Sequence, residues 1–394
     1  MSAKTIKKFS SPKAGILFAM SICLLLVPFS LVHASQGVTS DSILLCASNA
    51  QSGPAKFLGK EYTKGFKAVF SQVNKNGGIN GRKIKLNVLD DGYEPDRAIE
   101  NTKKFVNSGC FLLTGYVGTP TSKAALPVAE KAGLPYFFPF TGAEFLRNPV
   151  RPLVFNLRAS YFMETEEMVH YLADIKGLKK IAIFYQDDSY GRAGLKGFKK
   201  AMGKRGLKIA GEATYPRNTV AVSKAVITMR RIRPEAVVMI GAYKPCAAFI
   251  KKAKKVGLTN TRFINISFVG SKALFKELGP DGEGVLVTQV VPFPWDTSLP
   301  GVKDYAQTLK AAYPGSEPGF VSLEGYLAAK TLVQILKNAG TEPTRKSVVA
   351  AANNLRNFDL GINVPISFSP TDHQGMEKVY LTVIKNGKFQ QVNY

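Results

Sequence analysis

Apolar positions along the chain alternate between two rhythms. ILLCASNA (43–50) is a near-continuous apolar run of strand length, after which Tyr62, Phe66, Val69, Phe70 and Val73 recur at helical spacing until Gly77-Gly78. KIKLNVLDD then reads as a second strand and DRAIENTKKFVNSG as a second helix. CFLLTGYVG, TSKAALPVAEKAG and LPYFFPF continue as strand, helix and strand. Strands that are apolar on both faces, each followed by a helix, predict a parallel sheet covered by helices.

The cycle restarts after LVFNLRAS. A helix is expected over about Glu164 to Ile175, then the strand KKIAIFYQDD, a helix from about Tyr190 to Lys204, LKIAGEATYP, and a helix over 220–232. PEAVVMIGAY, PCAAFIKKAKKVG, TRFINISF and SKALFKELG extend the alternation, and EGVLVTQVVPFPW runs as an apolar strand into prolines. Helices follow near 301–312, 321–339 and 344–355. The tail from ISFSPTDHQG onward reads as strands, with Asn386-Gly387 as a two-residue hairpin turn. The expected fold is α/β: two doubly wound parallel-sheet lobes joined by a three-crossing hinge. The crossings fall near Asn156–Ser160, Thr288–Pro292 and 355–365. Lobe 1 is then 41–157 plus 289–355, and lobe 2 is 158–288 plus 356–394; a length of 394 residues suits two cores better than one.

Residues 1–34 follow a different rule. Lys4, Lys7, Lys8 and Lys13 precede an apolar run from about Ala14 to Val32, and Val32-His33-Ala34 fits a small-x-small cleavage site before Ser35. A cleavable signal peptide and export to the periplasm are expected. Without the leader, Cys46, Cys110 and Cys246 remain. Three is odd, so no complete disulfide framework is expected, and Cys46 and Cys110 read as small buried hydrophobes in apolar strands.

The net charge of +25 invites a nucleic-acid partner. The basic residues, however, are spread along helices, as in Lys199-Lys200, Arg230-Arg231 and the lysines from Lys251 to Lys255, without interleaved aromatics. They read as solvated faces, and no nucleic-acid partner is expected. Metal and hydrolase chemistry find little support. Beyond the leader only His170 and His373 occur, and HExxH, CxxC, GxSxG and GxxxxGK[ST] are all missing. Asp90-Asp91 could serve ribose hydroxyls in a dinucleotide fold, but the turn after the first strand is SNAQSGPAKFLG, not GxGxxG. No cofactor is expected.

Ligands of open α/β sheets sit beyond the carboxyl ends of the strands. Here those ends are Gln51-Ser52-Gly53-Pro54, Gly118-Thr119-Pro120-Thr121 and Pro139-Phe140-Thr141-Gly142 in the first unit. In the second they are Gln186–Gly191, Gly241-Ala242-Tyr243 and Asn265–Phe268. Hydroxyls and helix N-termini on one side favour an anion; tyrosines and acids on the other favour an apolar body and a cation.

With these segments in view, the sequence resembles the periplasmic solute-binding proteins of branched-chain amino acid ABC importers, of the leucine–isoleucine–valine-binding type. SGPAKFLG (52–59), GGINGR (77–82), DDGYEP (90–95), GTPTS (118–122), PFTGAEFLR (139–147), YGRAG (190–194), GAYKPC (241–246) and FVGS (268–271) carry the likeness. The resemblance implies a type I periplasmic binding fold and a receptor without catalysis. Its partners would be a small carboxylate-bearing ligand and an inner-membrane ABC permease, and it would act as a monomer. A sensor feeding a chemoreceptor or sensor kinase is the alternative output.

The implied ligand-binding set is Ser52, Leu58, Val117, Gly118, Thr119, Thr141, Gly142, Tyr161, Glu164, Tyr190, Tyr243 and Ser267. Thr119 and the Thr141-Gly142 turn would hold the carboxylate, Leu58 and Val117 would line the side-chain pocket, and Tyr190 and Tyr243 would close over it. Relatives of the leucine-binding type carry a glutamate where Ser267 aligns, and a disulfide between the turns that here hold Gly92-Tyr93 and Gly118. Glu164 could replace the missing acid as a cation partner; its plainer reading is a solvated first-turn residue. The plainer readings of the other residues are helix capping for Thr119 and Thr141 and inter-lobe packing for Tyr190 and Tyr243. Asp187-Asp188 is read as a helix cap, and Trp295 as packing near a crossing.

Overall fold

The first apolar run becomes β1 (Ser42–Asn49), which lies one strand in from the edge of a five-stranded sheet in a computed structural model describing residues 1–11 and 36–394. The apolar part of the expected signal peptide lies outside the described residues, and residues 1–11 carry no regular secondary structure. Among the described residues no helix is long and apolar enough to cross a membrane. Residues 36–394 form one compact unit.

After β1 the chain runs through α1 (Lys56–Lys75), β2 (Lys83–Asp90), α2 (Pro95–Asn107), β3 (Leu112–Thr114), α3 (Thr119–Lys131), β4 (Tyr136–Phe137) and β5 (Val154–Phe155). The strands are all parallel and ordered β2-β1-β3-β4-β5. β3 and β4 are far shorter than their apolar runs. Gly115 at φ 68° ends the first, and Phe138, at a left-handed φ of 54° before Pro139, ends the second. Pairing resumes at a Val117–Phe140 bridge, directly before the turns that carry Thr119 and Thr141.

The second half begins with α4 (Tyr161–Val169), which widens into a π turn over His170–Ile175. It continues through β6 (Ile181–Gln186), α5 (Ser189–Lys204), β7 (Glu212–Tyr215), α6 (Ser223–Ile232) and β8 (Ala236–Ile240). Next come α7 (Tyr243–Lys255), β9 (Arg262–Asn265), α8 (Ser271–Leu278) and β10 (Leu286–Gln289). α9 (Pro300–Ala312), α10 (Phe320–Asn338) and α11 (Arg345–Asn353) follow; α9 and α10 pack on α1, beside the first sheet. The hairpin β11 (Tyr380–Lys385) and β12 (Lys388–Gln391) then adds antiparallel strands to the second sheet, ordered β12-β11-β10-β9-β8-β6-β7. Asn386 and Gly387 both take positive φ at its turn. The tail is strand only from Tyr380; before it stand isolated bridges, because Pro365 and Pro370 cannot donate to a ladder.

Three segments pass between the sheets: 156–160, 290–299 and 354–379. The first and last pair side by side, with Asn156 N donating to His373 O (2.9 Å), Gly375 N to Asn156 O (2.8 Å) and Met376 N to Leu157 O (2.7 Å). His373, its ring stacked on Phe155 and Nδ1 2.7 Å from Val154 O, fixes that pairing. Trp295 lies in the middle segment, against Phe293, Phe320 and Phe389.

The cysteine expectation is corrected. Cys46 in β1 and Cys110, just before β3, form a disulfide, leaving Cys246 as the one free cysteine among the described residues, and it is buried. An odd count excludes a complete framework but not one bond, and neighbouring parallel strands bring the two Cα atoms to 6.2 Å. The bond closes a loop with a sequence separation of 64 residues. Replacing both cysteines by serine, or reducing the protein, should lower the urea-unfolding free energy by about 2–4 kcal/mol, read from the shift in denaturation midpoint at constant slope.

Candidate functional site

In each sheet the strand order reverses once, between β1 and β3 and between β6 and β8. The carboxyl ends of strands at such reversals leave a crevice that ligands use. The turns beyond these strands are in mutual contact, with Phe268 of the second half against Phe140 and Tyr93 of the first.

Beyond β3 the chain turns at Gly118, whose φ of 105° suits glycine, and enters α3. A Cβ at Gly118 would fall 2.2 Å from the Tyr93 ring. Thus an aromatic ring from the β2–α2 turn lies directly on this glycine. Thr119 does not cap α3. Its hydroxyl is 2.7 Å from that of Thr141, and Thr141 Oγ1 in turn donates to Tyr161 OH at 3.3 Å. Gly142 lies so close to Tyr161 that any side chain there would strike it; a Cβ would be 2.5 Å from Cδ1. The half-buried Arg147 secures this corner, donating to the carbonyls of Ala143, Thr141 and Arg158.

From the second half, Tyr190 at the start of α5 packs on Tyr161 (ring centroids 5.5 Å) and Phe268 (4.6 Å), with its hydroxyl 3.4 Å from Gly241 O. Asp188 caps that helix through Tyr190 N at 2.9 Å. Phe268 reaches across to Phe140 (5.4 Å) and Tyr93 (6.0 Å). Val117 is buried and bridges Phe140, Leu58 is buried against Gly270, and Tyr243 meets Phe57 edge-on at 5.9 Å. Burial pushes the Tyr161 phenol up to about 12 and that of Tyr190 further, so both remain neutral donors. Of the twelve implied residues only Ser52 stands apart: it is exposed, and its hydroxyl is bonded to Asp90.

Glu164 overturns the plainer reading. It is fully buried, not solvated, and its carboxylate accepts from Ser267 N (2.9 Å), Ser267 Oγ (2.9 Å) and Thr288 Oγ1 (2.7 Å). Burial raises its pKa, opposed by Arg158 and these donors. It therefore occupies the place beside Ser267, with its oxygens already engaged.

Arg158 and Glu324 are the two residues that sequence reasoning missed. Arg158 is 1% exposed, on the first crossing, with its guanidinium 4.4 Å above the Phe140 ring. Nη2 donates to Ser267 Oγ; Nε lies 3.5 Å from Glu324 Oε1 and Nη2 3.8 Å from Glu164 Oε1. Nε and Nη1 have no hydrogen-bond partner. Glu324 projects from the buried α10, and desolvation pushes its carboxyl up to about 7 against the pull of Arg158. The available signal was a lone ionic residue inside an apolar run: Arg158 in LVFNLRAS, and Glu324 in FVSLEGYLAA.

At the rim, Arg217 bonds Glu94 (2.8 Å) and Asp188 (3.3 Å), and Asn218 bonds Glu94 (2.6 Å) and Gly92 O (3.1 Å). Just inside, Gln186 donates to Tyr93 OH at 3.3 Å. These contacts clasp the β2–α2 turn to the second half. Among the described residues no cluster of His, Cys, Asp and Glu is arranged to hold a metal ion.

A sequence profile described as a periplasmic binding protein matches residues 46–388. The leucine-, isoleucine-, valine-, threonine- and alanine-binding protein of Pseudomonas aeruginosa is 23% identical over 84% of this chain and 91% of its own. The crystal structure of a possible leucine/isoleucine/valine-binding protein from Rhodopirellula baltica is 35% identical, with a TM-score of 0.85 over 90% of this chain and 96% of that one. A branched-chain amino acid ABC transporter protein from Thermus thermophilus, solved with bound valine, shares the fold at 21% identity and a TM-score of 0.82, over 90% and 96% of the two chains.

Glu324 supplies a pH test. Its carboxyl titrates near 4.5 when free and about 7 when buried, so the unfolded chain ionises it more readily than the folded one. Its contribution to stability is complete below pH 4.5 and lost as pH rises through 7. Glu324→Gln should therefore gain in Tm relative to wild type as pH is raised from 5 to 8, and a constant gap across that range would contradict the assignment.

Proposed function

The chain belongs to the periplasmic binding protein family, and on that premise we propose that it is a two-lobed receptor that captures a small carboxylate-bearing ligand. The ligand, an amino acid or a related amide or acid, is held in the cleft between the strand ends and delivered to an ABC importer of the inner membrane. The lobes are 41–157 plus 289–355 and 158–288 plus 356–394. The chain acts as a monomer in the periplasm once residues 1–34 have been removed near Ala34-Ser35.

The observation that carries this reading is the pairing of Thr119 and Thr141, two buried hydroxyls 2.7 Å apart at the ends of adjacent strands. One opens α3, where first-turn N–H groups lack acceptors within the helix and the dipole favours an anion. A carboxylate placed there meets hydroxyl and backbone donors together, with Tyr161 behind them. The names of the relatives also support a small amino-acid-like ligand.

Capture proceeds by closure. The lobe carrying Thr119 and Thr141 binds first, and the second brings Tyr190, Tyr243 and Phe268 over the ligand, excluding water and strengthening each charge-assisted bond. The crossings supply the hinge, and the ligand acts by shifting the open–closed population toward the form a permease recognises.

Three measurements test the reading. In a thermal-shift screen of the mature protein against amino acids, small amides and carboxylates, at least one small carboxylate or amide should raise Tm. Calorimetry on that ligand should then show Thr119→Ala weakening binding by about 10–100-fold, the loss of one hydrogen bond to a charged group, with Thr119→Ser restoring most of it. N-terminal sequencing of protein recovered from the periplasm should begin at Ser35.

A further inference from the structure

The donors and acceptors of the cleft do not balance. On the acid side, Glu164 receives Ser267 N, Ser267 Oγ and Thr288 Oγ1, and Ser267 Oγ also accepts from Arg158. This carboxyl group accepts three hydrogen bonds within the protein, and Oε1, which takes only one of them, lies 3.8 Å from Arg158 Nη2. On the basic side, Arg158 is buried as deeply, yet Nε and Nη1 are unpartnered. Glu324 is the one other carboxylate in contact with it, at 3.5 Å from Nε and without a hydrogen bond. That side chain is pushed toward the protonated form by the same burial. A buried guanidinium with two nitrogens, and so three N–H groups, lacking hydrogen bonds keeps its desolvation penalty until an acceptor arrives.

We propose that the cleft selects an organic carboxylate that lacks an α-ammonium group, its acceptor oxygen meeting the unused nitrogens of Arg158 and its apolar body lying against Phe140, Tyr190 and Phe268. The proposal rests on the receptor reading above and narrows its ligand class. An α-ammonium beside Arg158 would face a like charge in a dry site, and the Glu164 carboxyl group there already accepts three hydrogen bonds from Ser267 and Thr288. The rings supply the apolar surface: Phe140 lies under the guanidinium at 4.4 Å, and Phe268 bridges Phe140 and Tyr190.

The test uses matched pairs on the mature protein by isothermal calorimetry: L-phenylalanine with 3-phenylpropanoate, L-leucine with 4-methylpentanoate, and L-glutamate with glutarate. Within the best-binding pair, the deaminated acid should bind at least tenfold more tightly. Arg158→Gln should weaken that acid at least 100-fold, while Arg158→Lys, which keeps the charge but not the geometry, should lose less. Because Arg158 supports the closed core, the neutral amide 3-phenylpropanamide serves as a readout on the unmutated protein, expected to bind more weakly than 3-phenylpropanoate. Amino acids binding as tightly as their deaminated partners, or more so, would overturn this inference and leave the receptor reading intact. Silence from amino acids, deaminated acids and amides alike would overturn both.

Discussion

A charged guanidinium without water is the constraint on which the closed molecule depends. Arg158 approaches Glu164 from α4, Glu324 from α10, Ser267 after β9 and Phe140 after β4. Those elements belong to both sheets and to the helices beside them. Removing one partner of a buried ion pair costs about 3–5 kcal/mol, because the survivor stays charged in a poor solvent. Compensation for Arg158 is thus available only when both halves converge on it.

The crossings make that convergence repeatable. Asn156 and Leu157 are hydrogen-bonded to the 373–376 segment, and Gln374 Nε2 donates to Arg158 O at 2.7 Å, so Arg158 projects from a braced bend and not from a free loop. Arg147 grips the carbonyl of Arg158 and those of the Thr141 turn, tying the guanidinium's backbone to the hydroxyl pair. Tyr161 follows immediately, with its N–H on Gly142 O at 2.7 Å. One short stretch of chain therefore positions a cation, a phenol and the hydroxyl corner together.

The alternation of strands and helices was legible because parallel strands are apolar on both faces and the punctuating glycines are local signals. The length of β3 and β4 was not, since Phe138 adopts a left-handed conformation that its sequence does not announce. The candidate site was legible at strand ends, where topology alone brings Thr119, Thr141 and Tyr190 together. Its ionic centre was hidden. Glu164 read as a surface residue because a helix's first turn welcomes acids, and only tertiary packing puts Ser267 and Thr288 on it. Arg158 passed unnoticed within an apolar crossing. Cys46 and Cys110 were misjudged for a similar reason: adjacency of β1 and β3 is a property of the sheet order, not of either apolar run.

The clasp at the rim differs in kind from the centre. Arg217 and Glu94 remain partly exposed, so their attraction is modest and screened by salt, whereas Arg158 lies beyond the reach of dissolved ions. The two ion-pair groups thus differ in their response to salt. In the receptor proposed above, the centre would decide what is held, and the rim would contribute to how long a closed state survives before it opens. Dwell time is then adjustable by ionic strength at the lip, without altering the selectivity set within.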